Sequence, residues 1–173
     1  MNNQPQQPVQ EMTAGMSIVV QTVTRWVKSF IFLFGLYIVC FGHLTPGGGF
    51  SGGVILCCAF ILMMLAFGRE RALRRLPLGR AGVLDSVGAL AFLVIAVVGL
   101  FIGGVFFANW LAVPAAAALQ RLCAAIGVEP FHLLSAGTIP LCNLAIALKV
   151  CTSLFLVFAV LAMLRVEQQE QEE

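Results

Sequence analysis

The stretch Ile139–Leu164, IPLCNLAIALKVCTSLFLVFAVLAML, decides how this chain is read. It is apolar for long enough to cross a bilayer, for which about 20 residues suffice, and it carries one charge, Lys149. At about 1.5 Å per residue, Lys149 lies roughly 15 Å from Ile139 and roughly 22 Å from Leu164, close to a bilayer's midplane. A lysine there costs at least about 2.5–3.5 kcal/mol, and charges that persist at such depth usually face a polar partner or a watery path. The default reading is an ion-handling membrane protein. The competing reading is a lysine that snorkels outward and does nothing else. Cys142, Thr152 and Ser153 share its helix face by i+3, i+4 and i+7 spacing, which gives a weakly polar stripe suited to protein or water.

Composition extends this reading to the whole chain. The sequence has 173 residues, 60% hydrophobic and 10% charged, where a soluble domain holds about 25% charged residues. Three further apolar windows, at 26–44, 50–67 and 83–107, join 139–164 to predict an all-α membrane protein of four spans. The first window is short, and Trp26 at headgroup level extends it. A secretory signal peptide is the alternative there, but the polar stretch 2–10 precedes Arg25 and Lys28, and Gly42-His43-Leu44-Thr45-Pro46 follows; a retained span is expected.

The basic residues predict orientation. Arg25 and Lys28 precede the first span, Arg69, Arg71, Arg74, Arg75 and Arg80 separate the second from the third, and Arg165 closes the fourth. Both termini are therefore expected to be cytoplasmic, N-in/C-in, with 42–49 and 108–134 outside. The net charge of +2 is spent on topology, so nucleic-acid binding is not expected. The six cysteines show no metal-ligand spacing and read as small apolar fillers, with a Cys123–Cys142 bridge as a remote alternative.

Residues 1–15 read as a disordered cytoplasmic tail, 16–165 as the membrane domain and 166–173 as an acidic tail. The part 12–27 has apolar residues at helical spacing and is expected along the cytoplasmic interface before turning inward. Pro46-Gly47-Gly48-Gly49 predicts a sharp reversal between the first two spans. Gly99 and Gly103 form a GxxxG pair that admits a closely packed helix from this chain or another. Between spans three and four, Pro114, Leu119, Leu122 and Ile126 suggest a short helix on the outer surface, with a re-entrant helix as the alternative.

Asp85 is the only acidic residue within a hydrophobic window. Counted from the predicted helix ends it differs from Lys149 in depth by roughly 15–20 Å, so the two are not expected to pair. A carboxylate for Lys149 is expected on a neighbouring subunit. Asp85 itself reads as a helix N-terminal carboxylate favoured by the dipole or as a group bordering an ion path. His43 and His132 share the outer side, as proton carriers or as polar caps. Asn143 reads as a hydrogen bond between helices. A nucleophile-base pair, a metal cluster and a phosphate loop are not found in the sequence pattern, so no catalytic residue and no cofactor are expected.

The run Gly42-His43-Leu44-Thr45-Pro46-Gly47-Gly48-Gly49-Phe50-Ser51-Gly52-Gly53 resembles the MnhB/MrpB-type subunits of multisubunit sodium/proton antiporters. The run from Ile139 to Val150 is similar to the final helix in the branch shared with energy-converting membrane-bound hydrogenases. The similarity extends from Met16 to about Leu164. It implies an accessory subunit in the inner membrane of a prokaryote, without catalytic chemistry of its own, among other membrane subunits that exchange Na+ for H+. His43, Pro46 and Phe50 match the loop residues that the family ties to transport, and Lys149 matches the second motif. Gly47, Gly48, Gly49, Gly52 and Gly53 are implied in the turn and in helix packing. Ala147 stands where glycine is expected, and the long outer segment is atypical.

Overall fold

A computed structural model describes residues 16–68, 72–74, 76–110 and 136–172, with side chains as far as 164. Among the described residues, four helices are long and apolar enough to cross a membrane. They are α1 (Ile18–Cys40), α2 (Gly48–Phe67), α3 (Leu78–Gly103) and α4 (Ile139–Glu172). The described residues contain no strand, and the all-α expectation with four spanning helices holds.

Several helix ends differ from the sequence expectation. The residues 18–27 do not turn along an interface; they continue straight into α1 as one helix. No glycine or proline interrupts this part, and its polar side chains bond back to the helix, with the Thr22 hydroxyl donating to the Ile18 carbonyl at 2.9 Å. α3 begins at Leu78, five residues before Val83, immediately after Pro77. α4 does not stop at Arg165 but runs to Glu172, through glutamates and glutamines that favour helix. The outer-surface helix, His132 and residues 1–15 lie outside the described residues.

α1 and α2 form the expected hairpin. Gly47 (φ 95°) and Gly48 (φ 53°) make the reversal in left-handed geometry that a side chain would strain. α2 packs on α1 and α4, and α3 packs on α4, so α4 stands between the hairpin and α3. Small residues set these approaches. A Cβ on Gly49 would overlap the Asn143 backbone, and one on Gly53 would lie 2.8 Å from the Ala147 carbonyl oxygen. Thus Gly49 and Gly53 form the GxxxG pair on which α4 rides. Ala147, buried at 1% exposure, permits that approach without being glycine. On the next face of α2, Gly52 meets Val39 of α1.

Gly99 and Gly103 have a different partner from the helix expected. After Gly104 (φ 71°) ends α3, the chain folds back so that Ala108 lies against both glycines. Phe107 supports the fold-back, its ring 5.2 Å from that of Phe92. Asn109 then ties this segment to the start of α4: its Oδ1 accepts from the Thr138 amide at 2.8 Å, and its Nδ2 donates to the Ala136 carbonyl at 3.1 Å. A buried apolar core lies toward the other end, where Cys57 and Met64 of α2 pack with Cys151, Phe155 and Ala159 of α4. Cys40, Cys57, Cys58, Cys142 and Cys151 are free thiols, the first four of them spread over two helices and a helix start.

Candidate functional site

The intramembrane charge has its partner within the chain. Lys149 Nζ lies 3.0 Å from both Asp85 carboxylate oxygens, and the Ser153 hydroxyl also donates to Asp85 Oδ1. This corrects the expectation that Lys149 and Asp85 stand at different depths and that the acid comes from another subunit. The depth count failed because it measured each helix from its own predicted end. α3 starts about 7.5 Å earlier than the hydropathy window, which moves Asp85 inward by two helical turns from that start.

Gly88 sets the register. A Cβ there would sit 2.9 Å from the Lys149 amide nitrogen and 3.1 Å from the Ala145 carbonyl oxygen, so only glycine lets the α3 backbone rest on α4 at this level. Asp85, one turn before Gly88 on an antiparallel neighbour, then falls level with Ser153. The lysine side chain spans the remaining turn. Thr152, expected on the same stripe, is instead turned into the core at 3% exposure and bonds to the Leu148 and Lys149 carbonyls.

The pair is not enclosed. The Lys149 side chain is 46% exposed and that of Asp85 25%. Lys149 and Ser153 line a groove of about 460 Å³ between α3 and α4 whose walls include Phe50, Phe92, Ile146 and Leu154. An ammonium has three N–H donors, and two are directed at Asp85. The group is neutral overall, mid-span, and open on one side.

Of the sequence candidates, Phe50 and Lys149 line this groove, and Asp85 is paired with Lys149. His43 and Pro46 lie in the reversal between α1 and α2, outside the groove lining, with His43 half-buried and Pro46 exposed. Asn143 connects the two places. Its Oδ1 accepts from the Gly49 amide at 3.3 Å, next to Phe50, from a position about 9 Å along α4 from Lys149. Asn143 is 8% exposed, and its Nδ2 is directed toward Gly42 and has no partner among the described residues. From the sequence alone Asn143 reads only as a helix contact, and nothing local to Asn109 signals its role. No group of three or more metal-ligating side chains occurs among the described residues.

A family model described as a domain related to the MnhB subunit of Na+/H+ antiporter matches residues 19–156, most of the chain and all of the groove's polar residues. The chain belongs to the MnhB family. Similar relatives of this MnhB-family chain include the proteins named "Putative antiporter subunit mnhB2" in Staphylococcus aureus strains Newman and JH1. Each is 41% identical over 93 residues, which is 54% of this chain and 65% of the relative. The alignment therefore spans just under two thirds of those relatives' length. The family match agrees with the MnhB-type resemblance carried by the 42–53 motif, and with a multi-pass membrane protein.

Proposed function

We propose that this MnhB-family chain is an accessory subunit of a multisubunit Na+/H+ antiporter, in which the Lys149–Asp85–Ser153 group borders an ion path at the contact with a neighbouring membrane subunit. The observation that carries this reading is a neutral but half-open ion pair in the middle of a span. Acyl chains offer an ammonium no acceptor, and an unsatisfied polar group in hydrocarbon costs several kcal/mol. Protein or water from outside this chain completes the site.

The pair also suits a path that carries cations. Lys149 occupies the carboxylate as a resident cation, so a proton or Na+ approaching Asp85 competes with the ammonium for the same oxygens. Phe50 lines the same groove, which links the glycine-rich reversal to the charge pair through Gly49 and Asn143. One such pair does not make a complete relay, so the chain acts in company, with both termini cytoplasmic and the His43 reversal outside. It performs no bond-making chemistry of its own.

The test is transport in everted membrane vesicles from cells that assemble the full complex. Lys149→Met is expected to abolish Na+-dependent proton movement while the complex still migrates intact on a native gel. A second reading, a scaffold that only seals larger subunits together, is favoured by the broad exposed apolar faces of α1 and α3. It predicts that Lys149→Met either leaves transport unchanged in an assembled complex or prevents assembly. Proteins that co-purify in mild detergent distinguish an antiporter from a hydrogenase-type host.

A further inference from the structure

We infer that the groove between α1 and α2 at the arginine-bearing end of the bundle is a binding site for an anionic phospholipid. It is separate from the Lys149 groove and has a volume of about 500 Å³. Lys28 and Ser29 stand at one end; Phe32, Leu33, Phe60 and Met63 form the walls. Phe32 and Leu33 follow Lys28 by about one helical turn toward the interior of α1, so the polar end faces the bundle's end and the apolar part runs inward. That polarity is the polarity of a lipid, with a headgroup at the interface and a chain below it.

Charge selects the class of lipid. Lys28 has no ion pair among the described residues. Its ammonium is held by soft, uncharged contacts: the Met63 sulfur at 3.8 Å and the Phe67 ring, with the centroid at 5.8 Å. These contacts orient a cation without neutralising it. Arg25 precedes Lys28 by three residues and Ser29 by four, spacings that make neighbours on a helix surface, and the Ser29 hydroxyl donates to the Arg25 carbonyl at 3.1 Å. Arg25 is exposed, and Arg74 and Arg80 are exposed at the same end of the bundle. A phosphate seated beside Lys28 and Arg25 therefore meets two cations and no described carboxylate, while a zwitterionic headgroup brings its own positive charge to the same place. A free phosphate would leave the apolar walls unfilled.

The test is native mass spectrometry of the full-length chain released from vesicles of equal phosphatidylglycerol and phosphatidylcholine. The wild-type chain is expected to retain phosphatidylglycerol over phosphatidylcholine by about fivefold or more for each engaged basic residue. Lys28→Gln should lower that preference about fivefold, whereas Lys28→Arg should keep it. Equal retention of the two lipids by the wild-type chain overturns the inference and requires no variant to fold. So does an unchanged preference in Lys28→Gln, or an equal loss in Lys28→Arg. Cross-linking of Leu33→Cys to another subunit in the intact complex, with no lipid retained, would assign the groove to a protein helix and likewise overturn it. None of these readouts depends on transport.

Discussion

Replacing Asp85 by Asn removes the counter-charge of Lys149 while keeping the shape of the side chain. The Nζ atom stands 3.0 Å from both carboxylate oxygens, and two unit charges about 3 Å apart attract by about 5–6 kcal/mol at an effective dielectric of about 20. Desolvation offsets part of this attraction. The open side of the pair reduces it further, since the Lys149 side chain is 46% exposed. A net coupling of about 2–3 kcal/mol remains, similar to the cost of a lone lysine at the centre of a spanning helix. The assay is a double-mutant cycle of Asp85→Asn, Lys149→Met and both together, by SDS titration of the full-length chain in mixed micelles with helicity as the readout. Asp85→Asn and Lys149→Met should each be more destabilising than the double variant, because each strands one charge of the pair, and the double variant should recover much of the loss. If the single costs add to within about 0.5 kcal/mol, the two side chains do not interact and the proposed site loses its basis.

Gly49→Ala should destabilise the fold by about 1–3 kcal/mol in the same titration, because the new methyl overlaps the Asn143 backbone. Gly79→Ala, with nothing within 4 Å, should be neutral or stabilising by about 0.5–1 kcal/mol; equal effects at the two glycines would refute the packing account. Asn109→Ala should cost about 1–3 kcal/mol and speed hydrogen exchange at the Thr138 amide, whose acceptor it removes; unchanged exchange there would contradict the tie. Ser153→Ala removes one of the donors to Asp85 and should cost about 1.5–3 kcal/mol with Lys149 still paired. A loss as large as that of Asp85→Asn would mean that the hydroxyl, not the ammonium, holds the carboxylate.

The four spans were legible because hydropathy over some 20 residues needs no tertiary information. Lys149 was legible for the same reason, as a charge in an apolar run. Its pairing was not, because the relative height of two antiparallel helices depends on where each backbone can touch the other. Here that contact is Gly88 against Lys149 and Ala145, which no count from helix ends reveals. The two GxxxG pairs make a similar point: 49/53 and 99/103 have the same spacing, yet one meets α4 and the other meets Ala108 from its own following segment. Spacing announces that something comes close without saying what. The reversal at Pro46–Gly49 was fully legible, since the backbone angles required there belong to glycine.

α3 rests chiefly on α4, the next described helix in the chain, and among the described residues its one carboxylate is paired with a cation of that later element. During synthesis α3 therefore reaches the membrane before its counter-ion exists. We expect these two segments to settle in the bilayer jointly, with α3 waiting near the insertion machinery until α4 is made. In a chain cut before Ile139, an alkaline phosphatase reporter fused to the cut end should stay inactive on the cytoplasmic side, and an active reporter would show that α3 crosses on its own.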